Sequence, residues 1–224
     1  YGVDLLNAPK EWGHTMLQES LRTPHAVSTG ITDYLIELGA ILDRSSLDII
    51  KSKHCISMPL INAIIASDPI AVEKLLKWGA NPNIKGEDIT FDDTEGQKVT
   101  YHGTYPLQDA LIGRKPKITA LLLKHNADPN ITDSYGTPLL VHALNAKNPV
   151  YRQLLLQYGA NPNILNSAGT PILHSEIWSK HSDNVKSLLQ HGADPRVKQF
   201  GKSALEWIKS DLPELYDFAQ KKAD

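Results

Sequence analysis

The sequence predicts an all-α repeat fold, a solenoid of helix-turn-helix units, and three observations carry that prediction. A short exit motif recurs: Trp78-Gly79-Ala80-Asn81-Pro82-Asn83, His125-Asn126-Ala127-Asp128-Pro129-Asn130, Tyr158-Gly159-Ala160-Asn161-Pro162-Asn163 and His191-Gly192-Ala193-Asp194-Pro195, with a weaker copy at Leu38-Gly39-Ala40-Ile41-Leu42-Asp43. An apolar pair precedes each copy, as in Leu75-Leu76, Leu122-Leu123, Leu155-Leu156 and Leu188-Leu189. A helix-start mark stands upstream of each: Pro59-Leu60, Pro106-Leu107, Thr137-Pro138-Leu139 and Thr170-Pro171-Ile172, with degenerate versions at Thr15-Met16-Leu17 and Ser203-Ala204-Leu205. Pro106, Pro138 and Pro171 are spaced 32 and 33 apart, and Ala204 follows 33 after Pro171. Such a period marks units too small to fold alone that share one continuous core.

Each mark has a physical reading. Proline in the first helical turn costs no hydrogen bond, and a preceding threonine is expected to cap the free amides. Glycine at the end of the second helix accepts the left-handed conformation that closes it, and Asn126 is the commonest substitute there. The exit asparagines Asn83, Asn130 and Asn163 are expected to bond the backbone of the next finger. The ring-bearing column Trp78, His125, Tyr158 and His191 is expected to pack between successive second helices.

The pattern of Thr-Pro-Leu start, Leu-Leu second helix and Gly-Ala-Asp-x-Asn exit resembles the ankyrin repeat family, over nearly the whole chain. The resemblance implies one domain, residues 1–224. Residues 1–12 ("YGVDLLN" and its continuation) read as the exit of a preceding repeat, and further repeats or another domain are expected upstream. Repeats follow at about 13–55, 56–103, 104–135, 136–168 and 169–200, and a C-terminal cap at 201–224 with the polar ending "AQKKAD". Two stretches exceed the period. Residues 43–57 hold an excess of about 10, expected to form an extra helical turn. Pro59 to Pro106 is 47 residues, about 14 too many. There Ile89, Phe91, Val99 and Tyr101 alternate with polar residues around Asp92-Asp93-Thr94-Glu95-Gly96-Gln97, a β-hairpin pattern. In the family the segment between repeats is already a small hairpin finger. The insertion is therefore expected to lengthen that finger over about 84–104, where added loop costs little closure entropy.

Composition excludes several function classes. Net charge is −2 over 224 residues, which favours neither nucleic acid nor anionic membrane. No apolar run approaches a membrane span. The single cysteine, Cys55, forms no internal disulfide and fits a reducing compartment. No metal, phosphate-cradling or cofactor motif occurs, and neither Cys55-His54 nor the Asp92-Asp93-Glu95 cluster has the pattern its chemistry needs. No catalytic, cofactor or metal site is expected.

The default is a protein-binding scaffold that acts as a monomer in the cytoplasm. The resemblance implies a concave groove built from finger tips and first helices. The candidate contacts are Tyr105, Asp109 and Arg114, then Tyr135 and Asn145, then Trp178 and Lys180, then Phe200, with Asp92, Asp93 and Glu95 at the hairpin tip. Residues 85–98 carry five acidic against two basic residues, net −3, which points to a partner with a basic patch. The Asn-, Lys- and Ile-rich repeats with "GANPNI" look like those of secreted effectors of intracellular bacterial pathogens, whose site of action is the host cytosol. The alternative is the substrate-recognition or accessory domain of an enzyme whose catalytic part lies upstream.

Overall fold

The structure, a computed structural model, describes residues 30–31, 59–77, 79–86, 89–92, 98–101 and 103–224; Pro59, Asn62 and residues 89–92 and 98–101 are described by their backbone. Residues 43–57 and the first exit motifs lie outside this set. The fold is the ankyrin-repeat fold, mostly helical. The chain divides into two compact units, 1–127 and 128–224.

In the first unit α1 (Pro59–Ile65) pairs with α2 (Pro69–Lys77), and α3 (Pro106–Ile112) with α4 (Pro116–Lys124). Between the pairs β1 (Ile89–Asp92) and β2 (Lys98–Tyr101) form an antiparallel ladder. Its register joins Ile89 to Tyr101 and Phe91 to Val99, as the alternation requires, and Asp92 to Lys98. The Gly86 N–H donates to the Thr104 carbonyl at 2.9 Å and closes the base of the finger. Lys115 fastens the pairs together: its ammonium donates to the Ile64 carbonyl and, at 3.1 Å, to the Ile65 carbonyl at the end of α1. A cation there satisfies orphan carbonyls and opposes the helix dipole.

In the second unit α5 (Leu139–Asn145) pairs with α6 (Val150–Gln157), and α7 (Ile172–Trp178) with α8 (Ser182–Gln190). A two-residue hairpin, β3 (Lys198–Gln199) and β4 (Lys202–Ser203), leads into α9 (Ala204–Asp211); a 3-10 turn at Pro213–Leu215 leads into α10 (Tyr216–Ala223). Helix α9 starts on a complete capping box, in which Ser203 Oγ accepts from the Glu206 N–H at 3.2 Å and the Ser203 N–H donates to Glu206 at 2.7 Å. The degenerate Ser-Ala-Leu mark is thus a well-made helix start.

The core is the set of repeat positions the leucine pairs announced: Leu75, Leu122, Leu155 and Leu188 are all fully buried. Each second helix closes in the same way. The N–H of Ala80, Ala127, Ala160 and Ala193 reaches back five residues to the carbonyls of Leu75, Leu122, Leu155 and Leu188, at 2.9–3.0 Å. The residue before each alanine has positive φ: 95° at Gly79, 65° at Asn126, 90° at Gly159 and 93° at Gly192.

Three expectations need correction. The threonines do not cap through their side chains. Pro138 and Pro171 are themselves the N-cap residues of α5 and α7, without a side-chain cap. The Thr137 and Thr170 N–H groups instead donate to the side chains of Asp133 and Asn166, at 2.9 and 3.0 Å. The described part of the ring column is only partly covered: His125 is half-buried, Tyr158 is 41% exposed, and His191 is exposed with Nδ1 against the Ser187 carbonyl at 2.8 Å, while Trp78 lies outside the described residues. The three described residues are helix C-caps. The exit asparagines bond the next exit turn rather than the next finger. Asn83 Nδ2 donates to the Asn126 carbonyl at 2.9 Å, Asn130 to Gly159 at 3.3 Å and Asn163 to Gly192 at 3.1 Å.

Candidate protein-binding surface

The finger tips are built to be rigid. Asp133 Oδ1 accepts from the N–H groups of Tyr135 at 2.8 Å and Thr137 at 2.9 Å, and Asn166 Oδ1 accepts from Ala168 and Thr170, both at 3.0 Å. Gly136, Gly169 and Gly201 follow with φ of 77°, 73° and 79°. Tyr135 and Ala168 therefore stand at the same place on successive fingers, 33 residues apart, and Phe200 stands one position earlier on the last finger, level with Ser134 and Ser167. Tyr135 is 91% exposed and Phe200 78%. In the last finger Gln199 replaces the Asx residue. Phe200 and Gly201 both take positive φ, 52° and 79°, the requirement of a tight two-residue hairpin turn.

The exit turns are equally fixed. The side chains of Asn81, Asp128, Asn161 and Asp194 each accept from the N–H two residues on, at 2.8–2.9 Å. The residue between is proline each time. It has no N–H to satisfy and its φ is preset, which accounts for the recurrent Asn/Asp-Pro pair.

The sequence-predicted contacts fall into separate places. In the first unit Tyr105 is the half-buried N-cap residue of α3, with no side-chain cap. Asp109 is half-buried and accepts from Thr104 Oγ1 at 2.7 Å. Burial pushes its carboxyl above the usual range, against the Thr104 bond and Lys115. Arg114 is exposed in the left-handed turn between α3 and α4, φ 56°. Asp92 ends β1 opposite Lys98, while Asp93 and Glu95 lie outside the described residues.

In the second unit Tyr135 is at a finger tip, Asn145 is the exposed last residue of α5, and Lys180 is exposed at φ 57° in the turn after α7. Trp178 and Phe200 come together, stacked with ring centroids 5.6 Å apart. Two residues that no sequence motif singles out complete this cluster. Trp207 of α9 meets Trp178 edge-on at 5.8 Å, under the Lys202 ammonium at 4.8 Å from its ring centroid. His174, one helical turn before Trp178, meets it edge-on at 5.8 Å and is fully buried. Burial holds its pKa below the ordinary imidazole value, with the Lys202 backbone acting in the opposite sense. The spacing of "HSEIW" could have shown that His174 and Trp178 share a face; only folding brings Phe200 and Trp207 to it.

A buried polar network is likewise absent from the sequence-based expectations. Glu176, 4% exposed, stands 33 residues after Ala143, where the preceding repeat is small and apolar. Its Oε2 accepts from Asn184 Nδ2 at 2.6 Å and lies 2.8 Å from His181 Nδ1. Asn184 also donates to the Leu144 carbonyl at 3.2 Å and accepts from Arg152. This network joins α5, α6, α7 and α8, and it replaces apolar contact with directional bonds.

The described residues hold no group of three or more His, Cys, Asp or Glu side chains placed to bind a metal ion. No helix among them is long and apolar enough to cross a membrane. Cys55 lies outside them.

Successive helix pairs joined by internally bonded fingers define a helical repeat protein. Residues 107–199 match the family model for ankyrin repeats, three copies. A solved ankyrin repeat domain from Acinetobacter baumannii AYE aligns over 92% of this chain and 96% of its own, with TM-score 0.59 and 20% identity, a likeness of fold. No curated protein matches the chain. Residues 107–199 are thus ankyrin repeats, and ankyrin repeats are in general protein–protein interaction modules and typically non-catalytic.

Proposed function

We propose that the chain is a non-catalytic scaffold that binds a partner protein through its finger tips and first helices. The observation that carries this is the display of Tyr135 and Phe200, 91% and 78% exposed, at the turns of fingers whose backbones are internally bonded. Large aromatic rings held in water by a rigid frame lose solvent and little entropy on binding, which makes them good anchors. The contact set is Tyr105, Asp109, Arg114, Tyr135, Asn145, Trp178, Lys180 and Phe200. Asp92, Asp93 and Glu95 attract a basic patch on the partner. The protein works as a monomer in the cytosol, and the effector-like composition of its repeats supports action on a host protein. Affinity capture from host-cell lysate tests the reading. The wild-type chain should retain a protein that the Y135A/F200A variant, folded to the same melting temperature, releases. Equal capture by both variants would sink this assignment of the surface.

A further inference from the structure

The last finger carries more than an exposed ring. The indole Nε1 of Trp178 is buried and has no hydrogen-bond partner. Buried polar atoms are satisfied in the great majority of cases, so this N–H calls for a ligand or a water. The indole is covered by Phe200, whose ring stacks on it from the turn between β3 and β4. Phe200 sits there at φ 52°, a conformation that costs any residue with a Cβ, so the cover is held under strain.

The rim of this corner is cationic. Lys198 and Lys202 flank Phe200 on the finger and Lys180 follows Trp178 in sequence; all three are exposed. From Pro195 to Leu205 the chain has Arg196, Lys198 and Lys202 and no acidic residue. Of the acids that flank this stretch, Asp194 is bonded to Arg196 at 3.0 Å, and Glu206 is held by Ser203 in the capping box.

We propose that this corner docks an acidic segment of the partner protein, an assignment that rests on the protein-binding function above and gives the chemistry of one part of that surface. Phe200 swings off the indole, a carboxylate oxygen of the segment accepts from Trp178 Nε1, and Lys180, Lys198 and Lys202 hold its charge. The released Phe200 ring packs on an apolar side chain beside the carboxylate. A basic segment would be repelled by these cations.

The test uses the whole chain and a phage-displayed library of random peptides. Selected binders are synthesised and titrated into nitrogen-labelled protein, with the Trp178 indole N–H assigned by comparison with W178F. Binders rich in Asp and Glu beside an apolar residue, a downfield shift of the Trp178 indole proton, and a loss of roughly tenfold or more in affinity for K198E/K202E support the proposal. The K198E/K202E change is on exposed side chains, and its melting temperature shows whether the variant is folded. Binders without acidic bias, or acidic binders that leave the Trp178 indole unmoved, overturn it while leaving the scaffold reading standing; the buried indole N–H then serves an internal water only. Failure to select any binder overturns both.

Discussion

Asn163 Nδ2 donates to the Gly192 carbonyl at 3.1 Å, and Asn163 Oδ1 accepts from the neighbouring Asp194 N–H at 2.8 Å. One side chain thereby occupies a donor and an acceptor of the next repeat's exit turn. Asn130 does the same one repeat earlier, on Gly159 and Asn161. The final exit has Arg196 in this slot, turned back on Asp194 at 3.0 Å, and the relay stops there. Removing it should weaken the coupling between repeats.

N163A is therefore expected to cost about 1 kcal/mol, the usual net worth of such bonds at a partly exposed site. Urea unfolding followed by far-UV circular dichroism checks this. A midpoint equal to wild type would show that the relay is decorative.

The left-handed closures differ in what they tolerate. Gly159 at φ 90° lies well past the left-handed minimum, while Asn126 at φ 65° lies close to it. A Cβ at Gly159 would meet nothing within 4 Å, so any cost of adding one is backbone strain rather than collision. G159V should destabilise by roughly 1 kcal/mol or more, and N126V by less. Identical urea midpoints for the two variants would contradict the assignment.

Phe200 separates strain from stacking. F200A keeps the left-handed cost and loses the ring; F200G loses both. F200G should therefore be the more stable of the two, by about 1 kcal/mol. Thermal melts of both variants decide it, and the reverse order would remove the strain from the account.

His174 makes stability fall on mild acidification. Its folded pKa is depressed by burial, so below the unfolded value of about 6.5 the unfolded chain takes a proton that the folded chain refuses. The contribution is whole above that pH and lost as pH falls toward the folded pKa, ahead of the carboxylates. H174F removes the titration. Urea midpoints of wild type should decline between about pH 7 and pH 5 more steeply than those of H174F. Parallel curves would mean that the ring is not shielded.

The acidic hairpin gives a kinetic prediction. Reversing Asp92, Asp93 and Glu95 to lysine should slow association with a basic partner several-fold and flatten its salt dependence, with the melting temperature nearly unchanged. Stopped-flow association at low salt measures it, and unaltered rates would leave the hairpin a solubilising role.

How much of the fold and of the binding surface is legible in the sequence depends on the range of the forces involved. The helix pairs, the left-handed closures at Gly79, Asn126, Gly159 and Gly192, and the register of the 89–101 hairpin are set by neighbours a few residues away, and period, alternation and turn residues report them directly. The sequence alone therefore determined the repeat and the place of the inserted finger. Contacts between repeats are set by which side chains meet across about one period, and no local pattern encodes that. Tertiary structure decided that the exit asparagines bond the next exit turn, and that Thr137 and Thr170 serve the finger instead of capping a helix. It also decided that Glu176 is buried in a polar network where Ala143 stood one repeat earlier. Trp178 looks like a lone half-exposed ring until folding lays Phe200 across it and sets Trp207 against its edge. Burial without a partner, the property that marks Trp178 Nε1, exists only once the surrounding atoms have been placed and water removed.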